Sequence, residues 1–360
     1  MCVCTLMIPR IAPHKVLPQS GKHSNFTPNR VAFSCLFGSK GHAFSCEHET
    51  HDLLTLVSYK YTYRWDDFVM AAWQAFLLGL VQGITEFLPI SSSGHVVLLE
   101  HLLGIELNNR ILFGALLHIG TLIPVILVFK RDIKRLFWGM IHIFVDLIKN
   151  FTIWFHNKKH RDDVRYRKIL STNYRKFTVL ILISLIPTAV IGYILQKMAS
   201  RAFDNLLAPA IGFFITAILL LVTEVASNQA EKSPKDTKYR DAVIIGVFQG
   251  FSVFPGLSRA GATLSAGFLC GFSRKYAIKY SYIMMIPTVL GAIVVELQNN
   301  TSRVSISDVG NYILGIAAAS AAGYVAIRFM LSMVRQKKLR YFSAYCILVG
   351  VAAVAVNFFM

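Results

Sequence analysis

Apolar stretches close to 20 residues long recur through most of this chain, and no other feature limits its fold as strongly. An α-helix of about 20 apolar residues crosses the roughly 30 Å hydrocarbon core of a bilayer. Charged residues make up only 16% of the chain and the mean hydropathy is +0.52, whereas a soluble domain carries about 25% charged residues. The sequence therefore predicts an all-α polytopic membrane protein.

Six of these stretches are predicted to be full transmembrane helices. They cover residues 111–129, 177–196, 207–225, 277–297, 310–334 and 341–359. The segment 131–150, which follows the first of them, is amphipathic and is predicted to lie along the membrane interface. The small-residue run from Gly315 to Gly323 predicts close helix packing rather than a site.

Two further apolar regions, 72–106 and 242–271, are each interrupted near the middle. The first breaks at LPISSSG and the second at FPGLSRAG, so each half is too short to span a membrane. Irregular backbone at membrane depth persists only where it is buried in protein or lines a wet cavity. We therefore predict two re-entrant helix–loop–helix hairpins, each leaving the membrane on the side from which it entered.

The distribution of Lys and Arg predicts the orientation in the membrane. Thirteen of them lie in 130–176, and 226–241 and 335–340 are also basic, whereas 197–206 and 298–309 carry few cations. Basic loops favour the cytoplasmic side, and the loops alternate consistently only if both broken regions are re-entrant, the first from outside and the second from inside. These loops explain the net charge of +18, and with no recognition motif the sequence predicts no nucleic-acid partner.

Residues 1–69 differ from the rest of the chain because they are polar, irregular and without the apolar core of a signal peptide. Met70 then opens MAAWQAFLLGLVQG, where a membrane protein could begin. Two alternatives stay open, a start codon assigned too far upstream and a disordered tail. N-terminal sequencing of the native protein distinguishes them, since peptides from upstream of Met70 would exclude the first.

The two broken regions align with each other without a gap. GLVQGITEFLPISSSG begins at Gly79, and GVFQGFSVFPGLSRAG begins at Gly246. The identical pairs are Gly79 and Gly246, Gln82 and Gln249, Gly83 and Gly250, Phe87 and Phe254, Ser91 and Ser258, and Gly94 and Gly261. Because the basic loops orient the two copies oppositely, we predict inverted-topology repeats, which in transporters carry a site at the repeat interface.

The two copies differ in their ionisable residues. The first carries Glu86 and His95 where the second has apolar residues, and the second carries Arg259 where the first has Ser92. An ionisable group at this depth costs about 2.5–3.5 kcal/mol, so three of them at helix breaks predict a functional site. Other histidines in apolar helices are interpreted as structural, namely His101, His118 and His142.

The second break has the composition of an anion-binding loop. Ser258, Arg259 and Thr263 stand beside Gly256 and Gly261, where one half-helix ends and the next begins. Helix N-termini present free N–H groups with partial positive charge, and an arginine adds a planar fork of donors. The sequence therefore predicts that this break binds phosphate.

The first break offers a carboxylate and an imidazole, which can act as acid, base, nucleophile or metal ligand. Gln82 lies one helical turn before Glu86, so both side chains face the same cavity. A carboxylate close to phosphate is repelled unless a divalent cation bridges the two, and Mg²⁺ often binds through one or two carboxylates and phosphate oxygens. The two breaks together predict phosphoryl transfer or hydrolysis on a lipid substrate within the membrane.

These motifs resemble those of the undecaprenyl-diphosphatase family, also called bacitracin-resistance proteins. Gln82 to His95 is similar to the family's (E/Q)xxxE-F-x-P-x-S-S-x-G-H signature, and PGLSRAGAT, Pro255 to Thr263, is similar to P-G-x-S-R-S-G-A-T. The likeness covers about residues 70–360, which are thus expected to form a membrane-embedded catalytic domain. It implies hydrolysis of undecaprenyl diphosphate to undecaprenyl phosphate and inorganic phosphate, which recycles the lipid carrier for cell-wall synthesis and confers bacitracin resistance.

The resemblance also implies a divalent cation, Mg²⁺ or Ca²⁺, and a bacterial inner-membrane protein whose active site faces the outer side. Carried over by position, the metal ligands are Glu86 and Gln82. The catalytic residues implied are Glu86, Ser92, His95 and Arg259. The residues implied to bind the diphosphate are Ser91, Ser258 and Thr263, with Gly256 and Gly261.

Two positions depart from the family's pattern. Gln82 stands where many members have glutamate, which weakens any scheme with two carboxylates on the metal, and Ala260 stands where serine is usual. The nucleophile stays open between Ser92, His95 and a cation-bound water activated by Glu86. We favour His95 as nucleophile or base, with Glu86 orienting it or the cation.

Other functions fit parts of the same pattern. Inverted repeats with broken helices are also a transport architecture, so a polyprenyl-phosphate flippase is the main alternative, alone or combined with hydrolysis. An acid-phosphatase-like lipid phosphatase needs a histidine at a set spacing after its Ser-Arg pair, which Ser258 and Arg259 lack. Lipid chain length and oligomeric state, including a homodimer, stay open.

Overall fold

The computed structural model describes residues 71–105, 110–160, 163–202, 206–226, 231–299, 308–336 and 338–359. Within these ranges the chain forms ten α-helices, and the one isolated β-bridge pairs Lys232 with Phe272. The predicted extension, residues 1–69, lies outside the described residues.

The helices follow one another in a simple order along the chain. They are α1 (Ala72–Phe87), α2 (Ser92–Leu103), α3 (Arg110–His160), α4 (Asn173–Ala202), α5 (Leu207–Ala226), α6 (Tyr239–Phe251), α7 (Arg259–Leu269), α8 (Arg274–Asn299), α9 (Val309–Arg335) and α10 (Leu339–Phe359). Pairs of short helices meet at both predicted breaks, with 16 and 12 residues in α1 and α2 and 13 and 11 in α6 and α7. At about 1.5 Å per residue, none of these four reaches across a core of roughly 30 Å.

The six predicted transmembrane helices are confirmed. In the described part of the chain, six helices are long and apolar enough to cross a membrane. They are Leu112–His160, Asn173–Ala199, Leu207–Glu224, Arg274–Val295, Val309–Arg335 and Leu339–Phe359. The described part of the chain is therefore all-α, and the protein is a multi-pass membrane protein.

Helix α3 is longer than the sequence predicts. It runs from Arg110 to His160, so the first span and the amphipathic segment 131–150 form one helix. Only Phe129, with φ −105° and ψ 18°, departs from helical geometry at their junction. Because residues 125–135 include no proline or glycine, the helical hydrogen bonding resumes after this distortion. The interfacial position of the second part stays a prediction.

Helix α1 packs closely against α9 through small residues. A Cβ atom on Gly79 would overlap the backbone of Gly315, and one on Gly83 would overlap the backbone of Ala319. Glycine at these positions lets the two backbones approach. The run from Gly315 to Gly323 thus serves helix packing, as predicted.

The aligned glycines of the second break make the same kind of approach to α4. A Cβ atom on Gly246, the counterpart of Gly79, would overlap the backbone of Ser184. One on Gly250, the counterpart of Gly83, would lie 2.7 Å from the Cβ atom of Ile191. The first helix of each broken pair is therefore held against a long helix by equivalent glycines.

The two ends of the second broken pair lie near each other, and residues from both ends of the first pair share one buried cluster. Before α6, the N–H of Lys232 donates to the carbonyl of Gly271 (2.8 Å), and the N–H of Ser273 donates back to Lys232 (2.9 Å). These bonds join the segment that enters α6 to the one that leaves α7. At the other pair, Ile105 after α2 belongs to the same buried cluster as Ala75 near the start of α1.

Candidate active site

The two breaks touch each other. A Cβ atom on Gly94, at the start of α2, would lie 2.9 Å from the Cα atom of Gly256 in the second break. Gly256 has φ +83°, and a Cβ atom there would overlap the carbonyl of Pro209 on α5. The second loop is therefore pressed between α5 and the first break, and the side chains of both breaks can share one site.

A strained residue shapes the first break. Ser91 caps the N-terminus of α2 with φ +67°, and its Oγ accepts a hydrogen bond from the N–H of Gly94 (3.4 Å). Non-glycine residues seldom adopt positive φ, and such strain concentrates at functional sites. A residue of α8 fixes the start of this loop, because the Tyr282 hydroxyl donates a hydrogen bond to the carbonyl of Phe87 (2.7 Å).

The second break is fixed by a threonine of α5 that sequence reasoning missed. The Thr216 hydroxyl accepts from the N–H of Ser258 (2.9 Å), and its proton lies between the carbonyl of Gly212 in its own helix (2.9 Å) and the carbonyl of Gly256 in the break (3.1 Å). Ser258 in turn caps α7, because its Oγ accepts from the N–H of Gly261 (3.0 Å). A threonine in an apolar span usually bonds its own helix, so only the tertiary contact reveals this role.

The buried carboxylate of Glu86 lies at the centre of the site. Arg259 of the second break forms an ion pair with Oε1 of this carboxylate. The other oxygen, Oε2, accepts from the Ser92 hydroxyl (2.6 Å) and from Gln82 Nε2 (2.9 Å). Two residues predicted from the first break and one predicted from the second therefore converge on Glu86.

His118 of α3 joins these residues, although the sequence analysis interpreted it as structural. Its Nδ1 lies 3.1 Å from Gln82 Nε2 and 3.7 Å from Glu86 Oε2. We call Gln82, Glu86, Ser92, His118 and Arg259 the Glu86 cluster. His118 belongs to no motif, and the one sequence signal that could have found it is its ionisable side chain within an apolar span.

His95 makes its contacts outside the Glu86 cluster. Its Nδ1 lies 2.6 Å from the carbonyl of Ser91 and its Nε2 lies 2.8 Å from the hydroxyl of Tyr345 on α10. Since a carbonyl can only accept, Nδ1 carries a proton, and in the neutral ring Nε2 then accepts from Tyr345. The ring also stacks on Tyr345 and meets Phe213 edge-on. In this arrangement, His95 supports the loop that presents Ser92.

Thr263 is likewise engaged within the protein. Its buried hydroxyl donates to the carbonyl of Arg259 (2.9 Å) and lies 2.6 Å from the Ser281 hydroxyl on α8. These bonds tie the first turn of α7, which carries Arg259, to α8. The contact of Thr263 with a diphosphate stays a prediction.

The Glu86 cluster can carry out two kinds of chemistry. A carboxylate bonded to a serine hydroxyl can act as the general base for that hydroxyl, and an arginine beside it can bind phosphate. Among the described residues, no group of three or more His, Cys, Asp and Glu side chains could by itself hold a metal ion. One carboxylate, one amide and one imidazole nevertheless suit a cation that completes its coordination with phosphate oxygens and water.

Comparison with known proteins agrees with the motifs. The family described as "Bacitracin resistance protein BacA" matches residues 75–352. A protein named undecaprenyl-diphosphatase from Alkaliphilus metalliredigens is 37% identical over 284 residues, which are 78% of this chain and 97% of that protein. Proteins of the same name from Methanosphaera stadtmanae (34% identical, 79% of this chain and 97% of that protein) and Korarchaeum cryptofilum (36%, 78% and 97%) are also similar. By the extent of this match and by the motifs at its two breaks, the chain belongs to the bacitracin resistance protein BacA family.

Proposed function

We propose that this protein hydrolyses undecaprenyl diphosphate to undecaprenyl phosphate and inorganic phosphate in a bacterial inner membrane. The observation that carries the proposal is the ion pair between Glu86 and Arg259, which joins a base from one break to a phosphate-binding group from the other. The shared name of the relatives supports the same reaction. Recycling of the lipid carrier and bacitracin resistance would follow from this activity, and increased resistance of a bacterial host expressing the protein tests the latter.

In the proposed reaction, Arg259 exchanges its carboxylate partner for oxygens of the substrate's terminal phosphate. A guanidinium binds such oxygens through two parallel N–H bonds. The Glu86 carboxylate, 2.6 Å from the Ser92 hydroxyl, accepts its proton as Oγ attacks the terminal phosphorus. The bond from that phosphorus to the bridging oxygen breaks, and Glu86 passes the proton to the departing undecaprenyl phosphate.

A water molecule completes the cycle by attacking the phosphorus of the phosphoserine. Glu86 takes a proton from this water and returns it to Ser92 Oγ as inorganic phosphate leaves. His95 then acts as a positioning residue, because its contacts are with Ser91 and Tyr345 and not with the Glu86 cluster. This geometry is our reason for preferring Ser92 to His95 as the nucleophile.

Two substitutions distinguish the proposed nucleophile, Ser92, from the neighbouring Ser93. Ser92→Ala is expected to lower phosphate release by about 10²–10⁴-fold, because the attacking oxygen and its bond to Glu86 are both lost. The matched variant Ser93→Ala removes a hydroxyl that contacts only the Ser91 hydroxyl (3.3 Å) among the hydrogen bonds of the described residues, and is expected to stay within about tenfold of wild type. Mass spectrometry of acid-quenched enzyme should find phosphate on Ser92. Turnover of Ser92→Ala close to that of wild type would show that His95 or water, and not Ser92, is the nucleophile.

We further propose that Glu86 and Gln82 hold Mg²⁺ or Ca²⁺ at the site. When bound, the cation would offset the negative charge of the diphosphate beside the Glu86 carboxylate. The central experiment is therefore a phosphate-release assay on purified protein in detergent micelles with undecaprenyl diphosphate, with and without EDTA. A flippase would release no phosphate, and since micelles have no two sides, transport cannot contribute to the signal.

The membrane arrangement forms part of the proposal. We propose that α1–α2 and α6–α7 are re-entrant hairpins of two inverted repeats, with the active site open to the outer side. Support comes from the four short helices, from the bonds between Lys232 and Gly271, and from the equivalent packing of Gly79 and Gly246. A homodimer is a further candidate assembly, which light scattering of the purified protein tests.

Thiol labelling gives a direct test of this arrangement. In a variant lacking the native cysteines, Ala71→Cys and Leu103→Cys are both expected to react with a membrane-impermeant maleimide added to whole cells, because the two ends of a re-entrant hairpin share one side. Lys235→Cys, in the loop before α6, is expected to react only after the membrane is opened. Labelling of Ala71→Cys and Leu103→Cys from opposite sides would show that this region spans the membrane.

A further inference from the structure

The proposed reaction makes no use of His118. This histidine lies on α3, which contributes no other member of the Glu86 cluster, and its side chain is 30% exposed. An imidazole within an apolar span is costly unless it has a partner or a role. Its nearest polar partners are the two residues proposed to hold the cation, Gln82 and Glu86.

Polar atoms of three side chains form a small triangle. Gln82 Nε2 lies 2.9 Å from Glu86 Oε2 and 3.1 Å from His118 Nδ1, and the third side, from Glu86 Oε2 to His118 Nδ1, is 3.7 Å. Two atoms that each bind an ion at about 2.1 Å are about 3.0 Å apart at a right angle and about 3.4 Å apart at a tetrahedral angle. The triangle therefore has nearly the size of one face of a coordination sphere.

One rotation would turn the triangle into a ligand set. An amide binds cations through its oxygen, so Gln82 would turn its side-chain amide to bring Oε1 to the place of Nε2. With the amide turned, Gln82 Oε1, Glu86 Oε2 and the unprotonated Nδ1 of His118 would be three lone-pair atoms within 3.7 Å of one another, which one cation can share. Arg259 need not leave, because it binds the other carboxylate oxygen, Oε1.

The donor set also indicates which ions would bind. Carboxylate and carbonyl oxygens suit Mg²⁺, Ca²⁺ and Mn²⁺, whereas an imidazole favours transition ions. Gln82 is neutral, so the Glu86 carboxylate supplies the one negative charge of the triangle. A nitrogen ligand would therefore contribute most to an ion that accepts both oxygen and imidazole.

We propose that His118 Nδ1 is the third protein ligand of the cation, beside Glu86 and Gln82, and that it makes the site prefer Mn²⁺ to Mg²⁺ and Ca²⁺. This inference rests on the proposed function for the presence of a cation. It does not depend on the identity of the lipid.

Direct binding of Mn²⁺ tests the inference without any measurement of activity. Purified protein in detergent is titrated with Mn²⁺, alone and with methylenebisphosphonate, which supplies phosphate oxygens and is not hydrolysed. Bound Mn²⁺ is counted by electron paramagnetic resonance, and pulsed experiments detect magnetic coupling to a ligand nitrogen. Wild-type protein is expected to show this coupling, and protein containing histidine labelled with the heavy nitrogen isotope is expected to show it at the shifted frequency.

Variants then assign the nitrogen to one histidine. His118→Gln is expected to lose the coupling and to bind Mn²⁺ at least about tenfold more weakly, with a smaller loss for Mg²⁺ and Ca²⁺. His95→Gln and His142→Gln, each removing a histidine outside the triangle, are expected to keep the coupling. If His118→Gln fails to fold, a variant in which the other ten histidines of the chain are replaced by glutamine keeps the test valid, because any remaining nitrogen coupling then comes from His118.

Three results would overturn the inference. They are wild-type protein that binds no Mn²⁺ under either condition, bound Mn²⁺ without nitrogen coupling, and coupling that persists in His118→Gln. If only the assignment of His118 as a ligand is wrong, the enzyme still releases phosphate while one of these results is observed. If instead Mn²⁺ binds through His118 but undecaprenyl diphosphate is not hydrolysed, the proposed function fails and the metal site stands.

Discussion

Arg259→Ala is expected to lower phosphate release from undecaprenyl diphosphate by about 10²–10³-fold, the usual cost of losing one preorganised donor that stabilises transition-state charge. Arg259 belongs to the Glu86 cluster by its ion pair with Glu86, so its loss removes the proposed phosphate-binding fork from beside the base. Arg259→Lys keeps the charge but not the planar fork, and is expected to recover only part of the activity. Phosphate released by these variants in detergent micelles is measured with malachite green.

A second effect of Arg259→Ala must be separated from the first. The carboxylate of Glu86 is 2% exposed, and leaving such a buried charge without its arginine partner costs about 3–5 kcal/mol of stability. The double variant with Glu86→Gln removes this charge, so it is expected to regain thermal stability while staying inactive. Arg328→Ala, which removes an exposed arginine bonded to Tyr324, serves as the matched control. Near-wild-type turnover of folded Arg259→Ala would contradict the proposed function.

Gly256→Ala is expected to be the most damaging small substitution in the second break. The residue has φ +83°, where a side chain costs about 1–2 kcal/mol, and the added Cβ atom would overlap the carbonyl of Pro209. Relief of that overlap adds about 1–3 kcal/mol and moves the loop away from Gly94. We therefore expect a clear drop in the unfolding temperature together with loss of phosphate release.

Gly104→Ala isolates the conformational part of this effect. Gly104 ends α2 with φ +58°, and a Cβ atom there would have no neighbour within 4 Å. The stability of this variant is expected to fall only by the cost of a side chain at positive φ, and the variant is expected to stay active. Equal unfolding temperatures for Gly256→Ala and Gly104→Ala would show that contact with Pro209 does not constrain the second break.

Much of the fold could be predicted because it depends on local properties of the chain. Hydrophobic length set the six spans, and polar breaks flanked by glycine and proline marked the four short helices. Helix α3 shows the limit of this reasoning. A drop in hydropathy after Phe129 indicated a boundary, but backbone hydrogen bonding continues to His160 because no residue there interrupts it.

The candidate site was predicted only in part. Glu86, Ser92 and Arg259 stood out because ionisable and hydroxyl groups at helix breaks are unusual in apolar sequence. His118 and Thr216 did not, because each looks like an ordinary polar residue within a long span. His95 was predicted to be catalytic, but the structure places its ring against Ser91 and against Tyr345 on α10, a contact that depends on packing between helices far apart in the sequence.

The sequence by itself determined that this is a multi-pass helical membrane protein of the BacA family, because the length of apolar segments and the spacing of motifs depend only on the order of residues along the chain. Only the tertiary structure decided which groups surround Glu86, since hydrogen-bonding distances arise from the packing of α1, α2, α3 and α7. The glycines that let α1 approach α9, and Gly256 beside Gly94, set those distances to within the reach of a hydrogen bond. No pattern within one segment of the chain contains that information.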